Sequence, residues 1–206
     1  MTIDAVVFDI GNVLIEWMPE KYYDRVYGPE RREKLFSDVD LHGMNMLVDL
    51  GHDFKDTIYG WAGTNPEYAQ EITDWHDNWL ELAQPVIHHS VRLMRALQRK
   101  GVPVFALSNF GVGSFELACT RYEFLTEFDR TYISGRLKLA KPDPAIYAHV
   151  EADCGIAPER LLFTDDRPQN TAAAEARGWK THVFTEPDAW AERLVSEGLL
   201  TAGEAE

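Results

Sequence analysis

The stretch AVVFDIGNV at residues 5–13 contains a run of four apolar residues that ends directly at Asp9. An apolar run without polar alternation is typical of a strand buried on both faces, as in a parallel sheet. Gly11 and Asn12 then break the run. The sequence therefore predicts that Asp9 stands at the carboxyl end of a buried strand.

Four similar runs follow in the second half of the chain and alternate with helical patterns. Strands are predicted at 103–107, 130–134, 160–164 and 180–184, with helices at 86–100, 115–123, 144–154, 169–177 and 188–196 and a frayed tail at 201–206. This alternation favours an α/β fold, in which a three-layer, Rossmann-like parallel sheet carries helices on both faces. Ligands of such folds bind beyond the carboxyl ends of the strands.

Residues 16–85 have a different pattern, in which apolar and aromatic residues recur at helical spacing and no strand is evident. Examples of this spacing are Tyr68, Ile72, Trp75 and Trp79. We predict that residues 16–85, called the helical segment below, form three or four short helices. Residues 1–15 and 86–206 are then the α/β core. Most aromatic side chains of the segment are expected to pack in its interior, whereas Trp17, at the junction, is expected near the functional site.

The composition is that of an ordinary globular protein, with 45% hydrophobic and 26% charged residues among 206. The 20 basic and 34 acidic residues give a formal charge of −14, which disfavours binding to nucleic acids and anionic membranes. Two cysteines imply no disulfide framework. With no secretory signal and no apolar run of about 20 residues, we expect a cytoplasmic protein without membrane or nucleic-acid partners.

Polar residues follow the predicted strands where a parallel sheet binds its ligands. The carboxylate of Asp9 can attack an electrophile and form a covalent acyl-phosphate. Ser108 and Asn109 offer a hydroxyl and backbone amides that can hold an anion. Lys141, next to Pro142, can neutralise a nucleophile and a phosphate together. Taken alone, Asp9 is explained equally well as a helix cap, and a cap or surface role is the favoured interpretation of the other three residues. Only their combination points to a functional site.

Two adjacent carboxylates, Asp165 and Asp166, follow the predicted strand at 160–164, and Asn170 comes four residues later. Neighbouring acids at the end of a buried strand repel each other unless a cation lies between them. Carboxylate oxygens are the ligands that Mg²⁺ prefers. The pair therefore predicts a magnesium site.

The order of these groups along the chain resembles that in the haloacid dehalogenase superfamily of hydrolases. The matching motifs are Asp9-Ile10-Gly11-Asn12-Val13, Leu107-Ser108-Asn109, Lys141-Pro142 and Thr164-Asp165-Asp166-Arg167-Pro168-Gln169-Asn170. The resemblance covers nearly the whole chain. It implies the strand order 5-4-1-2-3 and a mobile helical-bundle cap formed by residues 16–85. The D-x-G-N-V form of the first motif resembles a subgroup that includes bacterial sugar-1-phosphate phosphatases.

The resemblance implies a Mg²⁺-dependent phosphatase that hydrolyses a small phosphorylated metabolite, with a sugar phosphate as one candidate, through an aspartyl-phosphate. It also implies a role for each motif residue. Asp9 is implied to be the nucleophile and a Mg²⁺ ligand, with the Gly11 carbonyl and Asp166 as further ligands and Asp165 as a ligand directly or through water. The implied phosphoryl-binding groups are Ser108, the Asn109 backbone and Lys141, and Lys141 is also implied to be catalytic. Asn12 and Asn170 are implied to be supporting residues.

One position departs from the pattern of the superfamily. Most of its phosphatases have a second Asp two residues after the nucleophile, which acts as general acid and base, and this chain has Gly11 there. General acid–base help contributes roughly 10²–10⁴-fold to rate. A good leaving group, such as an anomeric sugar oxygen, reduces that need. Glu16 and His42 are alternative proton donors, although ordinary surface polarity is the favoured interpretation of both.

Three other functions stay open at this point. A 2-haloacid dehalogenase shares the fold and the Asp nucleophile but uses no metal and lacks the acidic pair, so Asp165 and Asp166 count against it. A phosphomutase needs the proton-shuttling residue that is absent at Gly11. A weakly active or regulatory protein on the same scaffold is compatible with that absence. The expected assembly is a monomer or a homodimer.

Overall fold

The structure, a computed structural model, describes residues 2–206. Within this range the chain forms five β-strands, each within about one residue of its predicted position. They are β1 (Ala5–Phe8), β2 (Val104–Ser108), β3 (Arg130–Ile133), β4 (Leu161–Asp165) and β5 (Lys180–Val183). All neighbouring strands are parallel, in the order β3-β2-β1-β4-β5. The predicted α/β fold and strand order are confirmed.

Twelve α-helices accompany the sheet within residues 2–206. Six of them lie in the helical segment: α1 (Pro19–Tyr27), α2 (Pro29–Asp38), α3 (Leu41–Asp49), α4 (Phe54–Thr64), α5 (Ala69–Asp77) and α6 (Trp79–Leu82). The others are α7 (His88–Arg99), α8 (Val112–Arg121), α9 (Ser134–Leu137), α10 (Pro144–Cys154), α11 (Pro168–Glu175) and α12 (Pro187–Ser196), and short 3₁₀ turns occur at Pro66–Tyr68, Glu123–Thr126, Pro158–Arg160 and Ala202–Glu204.

The helical segment contains more helices than the three or four that the sequence predicts. At several places one helix ends and the next begins with little or no loop between them. Gly28, at φ 84°, ends α1, and Pro29 begins α2 directly. The side chains of Asp40 and Asp53 accept backbone hydrogen bonds at the starts of α3 and α4. N-terminal proline and Asp caps favour new helices at these places.

The central strands are wholly buried, and their side chains alternate between two apolar layers. Val6 and Phe8 of β1 belong to the larger layer, which also includes Met94 of α7. Val7 faces the opposite layer, which includes Tyr147 of α10. Burying one such large apolar side chain stabilises the fold by about 1.5–3 kcal/mol. The sheet is thus covered on both faces, and its strand ends stay fixed in position.

The C-terminal residues are packed onto the core, so the expectation of a frayed tail is wrong. Thr201 and Glu204 form a reciprocal capping box. The Lys100 ammonium binds the Glu204 carboxylate at 2.9 Å, and Ala205 is buried. A tail of small and polar residues predicts disorder by composition alone, but these specific contacts stabilise it.

The sheet brings three polar strand ends together. Phe8 of β1 pairs with Ala106 of β2 on one side and with Thr164 of β4 on the other. The residues that follow these strands therefore meet at one edge, as expected for parallel strands. Among residues 2–206, no helix combines the length and the apolar character needed to cross a membrane.

Candidate active site

Asp9 directly follows β1 and is almost completely buried at the edge of the sheet. Its backbone N–H donates to the carbonyl oxygen of Thr164 at 2.9 Å, which fixes the residue between the strands. Its Oδ1 accepts hydrogen bonds from the Ile10 amide and the Ser108 hydroxyl, both at 2.7 Å. Burial raises the pKa of Asp9 to about 7, and the nearby Asp165 contributes, although Lys141 acts in the opposite direction. Without a bound metal, the ionised form of Asp9 is therefore less favourable than that of an exposed carboxylate.

Lys141 provides the positive charge of the site, and its side chain is almost inaccessible to solvent. Its Nζ lies 2.9 Å from Asp9 Oδ1 and 2.6 Å from Asp165 Oδ2, and it donates to the carbonyl oxygen of Leu107 at 2.8 Å. Burial lowers the pKa of Lys141, but the two carboxylates outweigh this effect and raise it. A positively charged ammonium thus stands between two acids and can bind an anion that approaches Asp9.

Asp9, Asp165 and Asp166 form an acidic cluster, in which one carboxylate oxygen of each lies within 4.8 Å of the others. Asp165 is fully buried and accepts hydrogen bonds from Lys141, from the Arg167 amide at 2.8 Å and from Asn170 Nδ2 at 3.0 Å. Its oxygens are thus engaged by groups of the protein. Asp166 is more accessible.

Asn12 links the first motif to the fourth. Its Nδ2 donates to Asp166 Oδ2 at 3.0 Å, and its Oδ1 accepts from the Trp17 amide at 2.8 Å. The residue has a left-handed backbone, at φ 55°, which Asn adopts more readily than most residues. Asn12 therefore orients Asp166 and also sets the direction in which the chain enters the helical segment.

Gly11 stands at this turn without a side chain, and there is room for one. A Cβ placed on Gly11 would lie 3.7 Å from its nearest neighbour, Trp17 Cβ, which is ordinary van der Waals contact. The absence of a side chain at this position is therefore not imposed by crowding.

A cavity of about 580 Å³ opens above these groups. Its floor is formed by Asp9, Ser108 and Asp166 at the strand ends and by Lys141 from the loop before α10, while α3 and the start of the helical segment form the opposite wall. All the residues to which the sequence assigns a catalytic, phosphoryl-binding, metal or supporting role line the cavity, except Asp165, which lies beneath it.

Trp17 lines the cavity, as expected from its place at the junction. Its ring centroid lies 5.6 Å from that of Trp79, which also lines the cavity. Glu16 and His42 line it as well, but Glu16 pairs with Lys21 at 3.0 Å and His42 is largely exposed. The interpretation of the last two as surface residues remains a prediction.

The sequence reasoning missed Asp49, the last residue of α3, which lines the same cavity. Burial raises its pKa to about 7. Its place in the cavity depends on contacts between parts of the chain that are far apart in sequence, so no local pattern marked it. The apolar wall residue Phe110 was also missed, since nothing in its local pattern sets it apart from core residues.

Three proteins of known activity are similar to this chain over most of its length. A sesquiterpene phosphatase of Aspergillus oryzae is 32% identical over 191 residues, which are 86% of this chain and 87% of the phosphatase. An enolase-phosphatase of Persephonella marina is 28% identical over 194 residues, 90% of this chain and 82% of that protein. A drimenol cyclase of Aspergillus calidoustus is 28% identical over 190 residues, 89% of this chain, but the chain spans only 34% of the cyclase.

Solved structures share the fold at lower identity. A HAD family enzyme from Bacteroides thetaiotaomicron has a TM-score of 0.70 at 22% identity, covering 94% of this chain and 99% of that one. The same enzyme has been solved in complex with magnesium and inorganic phosphate, at a TM-score of 0.67. The L-2-haloacid dehalogenase of Xanthobacter autotrophicus has a TM-score of 0.63 at 18% identity, covering 99% and 87% of the two chains.

The haloacid dehalogenase-like hydrolase family matches residues 3–178, which include the four motifs from Asp9 to Asn170. The strand order, the converging strand ends and this match agree with one another. The chain belongs to the haloacid dehalogenase-like hydrolases.

Proposed function

We propose that this hydrolase is a Mg²⁺-dependent phosphatase that acts on a small phosphorylated metabolite through an aspartyl-phosphate on Asp9. The observation that carries the proposal is the convergence of one ammonium group, Lys141, and the carboxylates of Asp9 and Asp166 on the floor of one cavity. A nucleophile, a cation for the phosphoryl oxygens and a metal-binding pair are what phosphoryl transfer requires.

The acidic cluster fits Mg²⁺ by its chemistry. Its donors are carboxylate oxygens within 4.8 Å of one another, and hard divalent cations prefer such ligands. Asp9, Asp166 and the Gly11 carbonyl would hold the ion. Because Asp165 is engaged by Lys141, Asn170 and the Arg167 amide, we expect it to act through water or through Lys141. When bound, Mg²⁺ offsets negative charge on the phosphoryl oxygens.

The reaction follows from the positions of the protein groups. The Asp9 carboxylate attacks phosphorus, the bond to the leaving oxygen breaks, and water then attacks the aspartyl-phosphate to release inorganic phosphate. Ser108, the Asn109 backbone and Lys141 would hold the phosphoryl group beside Asp9. The existing contacts of Ser108 and Lys141 with Asp9 support this assignment. Preorganised donors of this kind stabilise the charge that develops in the transition state.

We further propose that the helical segment, residues 16–85, is a cap that selects the leaving group. Trp17 and Trp79 flank the cavity, and aromatic faces suit the apolar face of a sugar ring as well as other rings. The two phosphatase relatives are named for different substrates. A sugar phosphate therefore stays one candidate, as does membership of the sugar-1-phosphate subgroup. Closure of a cap would exclude water from the site.

The acidic net charge and the two cysteines, both free, support our proposal of a cytoplasmic protein without nucleic-acid or membrane partners. We propose that it acts as a monomer or a homodimer.

A dehalogenase is the second candidate function, and the structural likeness to a haloacid dehalogenase is the observation in its favour. The acidic cluster is the observation against it, because a metal-free reaction has no need of three carboxylates within 4.8 Å. The absent side chain at Gly11 favours a third candidate, a weakly active or regulatory protein.

The test is phosphate release from an aryl phosphate and from a panel of sugar phosphates, with Mg²⁺ and with chelator. We expect metal-dependent release that is lost in Asp9→Asn and kept in Asp56→Asn, a matched change of an exposed carboxyl on the helical segment. Halide release from 2-haloacids without metal would instead establish the dehalogenase. If the folded protein binds Mg²⁺ and releases neither product, the regulatory alternative gains support.

A further inference from the structure

The proposed reaction needs a proton donor for the leaving oxygen, and the first motif does not supply one. Gly11 has no side chain, and the Lys141 ammonium is already engaged by Asp9, Asp165 and the Leu107 carbonyl. A carboxyl group that faces the floor of the cavity from another element would fill this need.

Asp49 is such a group. It is the last residue of α3 and lines the cavity from the helical segment, while Asp9 and Lys141 line it from the α/β core. The chain around it is closely packed against the core. Ser134 Oγ donates to the Asp49 carbonyl oxygen at 2.6 Å. A Cβ on Gly51 would lie 2.5 Å from the Gly135 carbonyl oxygen, so only glycine permits this approach.

The orientation of the Asp49 carboxyl is set by a chain of two hydrogen bonds. The indole N–H of Trp75 donates to Asn45 Oδ1 at 3.0 Å, which fixes the Asn45 amide so that its Nδ2 donates to Asp49 Oδ2 at 2.9 Å. Asn45 is thus a positioning residue. A carboxyl held by a fixed, part-buried donor on one oxygen presents a defined direction to the cavity.

The charges around Asp49 suit a proton donor and acceptor. On its own helix, the dipole of the α3 C-terminus disfavours the ionised form. From the core it faces the Gly111 amide, Arg167 and Lys141, which favour ionisation, and Asp9, which disfavours it. Burial is the largest effect, and the resulting pKa of about 7 lies near the value at which a general acid and base works best.

We propose that Asp49 is the general acid and base of this enzyme, in place of the carboxyl that is absent at Gly11. This inference rests on the proposed function. Protonated Asp49 gives its proton to the leaving oxygen as the phosphorus–oxygen bond breaks and the Asp9–phosphorus bond forms. The resulting carboxylate takes a proton from the water that attacks the aspartyl-phosphate, so Asp49 ends the cycle protonated and Asp9 ionised.

The leaving-group dependence of Asp49→Asn tests the proposal. For an alkyl phosphate, whose leaving oxygen needs a proton, we expect kcat/KM to fall about 10²–10⁴-fold. For dinitrophenyl phosphate, which leaves unprotonated, kcat/KM stays near the wild-type value, while kcat falls for every substrate because water activation is lost. The decline of wild-type kcat/KM above the pKa of Asp49 disappears in the variant.

Two control variants separate this role from a structural one. Asp56→Asn, an exposed carboxyl on α4, leaves the leaving-group dependence unchanged. Gly11→Asp, for which the turn has room, restores part of the alkyl-phosphate activity when added to Asp49→Asn. Melting temperature and Mg²⁺ binding are measured for each variant, and Asp49→Ser replaces Asp49→Asn should the latter fail to fold.

Two results overturn the proposal when wild type hydrolyses aryl phosphate. In the first, kcat/KM of Asp49→Asn falls by the same factor for every leaving group. In the second, it falls for none of them. It is also overturned if Glu16→Gln, and not Asp49→Asn, produces the leaving-group effect. Failure of the proposed function looks different, because wild type then releases no phosphate from any substrate.

Discussion

The side chain of Asn109 holds the backbone of Lys141 at both of its polar groups. Asn109 Nδ2 donates to the Lys141 carbonyl oxygen at 2.9 Å, and Asn109 Oδ1 accepts from the Lys141 amide at 2.8 Å. The residue after β2 thereby fixes a loop that is 32 residues away in the chain. The Lys141 ammonium reaches Asp9 and Asp165 from a fixed backbone, so the second motif positions the third.

Asn109→Ala removes both of these hydrogen bonds and leaves polar groups of a partly buried loop without partners. We expect the free energy of unfolding to fall by about 1–3 kcal/mol and phosphatase activity to fall further, since Lys141 is no longer aligned. Denaturant titration and kcat/KM measure the two effects. The control is Asn65→Ala, whose amide binds only its own helix end. Equal activity in the two variants would contradict this role of Asn109.

Lys141→Met leaves Asp9 and Asp165 facing each other without the ammonium between them. Breaking a buried ion pair by removing one partner typically costs about 3–5 kcal/mol. We expect a loss of this size in the free energy of unfolding with chelator present, and loss of phosphatase activity. Lys100→Met is the matched control, because Lys100 pairs with Glu204 at the surface and such pairs contribute about 1 kcal/mol or less. A similar loss in both variants would refute the prediction.

The metal-free protein is expected to lose stability as pH rises. Burial raises the pKa of Asp9 and of Asp49 from 3.8 to about 7 in the folded state. The folded state therefore binds more protons than the unfolded state between these values, and the free energy of unfolding falls with pH until both groups are ionised. Unfolding at pH 5 and pH 8 in chelator measures this slope. The slope becomes smaller in Asp9→Asn, and an unchanged slope would contradict the assignment.

The raised pKa of Asp9 also makes Mg²⁺ binding depend on pH. A carboxylate has to be ionised to bind the ion, so metal affinity rises with pH up to about 7 and binding releases protons. Calorimetry in two buffers of different ionisation enthalpy measures the number of protons released. In Asp9→Asn we expect weaker binding without that release. Proton release of equal size in the variant would exclude Asp9 as its source.

Trp17→Ala is expected to alter selection of the leaving group more than the chemical step. The indole ring lines the cavity, while the backbone hydrogen bond from Trp17 to Asn12 survives the change. Loss of one aromatic contact is worth about 0.5–1.5 kcal/mol, so KM for a ring-bearing substrate rises up to about 10-fold at nearly constant kcat. Trp61→Ala, outside the cavity, is the control. A fall in kcat alone would show that Trp17 acts on the chemistry.

The sheet was predictable because β1, β2 and β4 are buried on both faces and read as short apolar runs. The start of α8 was not predictable from the sequence pattern. It begins at Val112, whereas the pattern placed it at 115, because Gly111 and Gly113 disfavour a helix locally. Gly111 is required by packing between distant parts of the chain, because a Cβ at this position would lie 2.3 Å from a methyl group of Val48.

The floor of the site was predictable from motif order, because parallel strands bring their carboxyl ends to one edge. Asp49 was not predictable in this way. Its place in the cavity depends on how the helical segment packs against Ser134 and Gly135, and a contact over 85 residues leaves no local pattern. The docked tail was missed for the same reason, since Glu204 is held by Lys100 from 104 residues away.

Acid quench of the enzyme during turnover detects the proposed phosphoryl group on Asp9 itself. Wild type is mixed with Mg²⁺ and excess aryl phosphate, stopped within one turnover, and analysed by intact and peptide mass spectrometry. We predict a gain of one phosphoryl group, labile in base, on the peptide that contains Asp9, and no gain in Asp9→Asn or with chelator. Turnover without a phosphorylated protein, or a phosphoryl group on another residue, would contradict the role of Asp9 as the nucleophile.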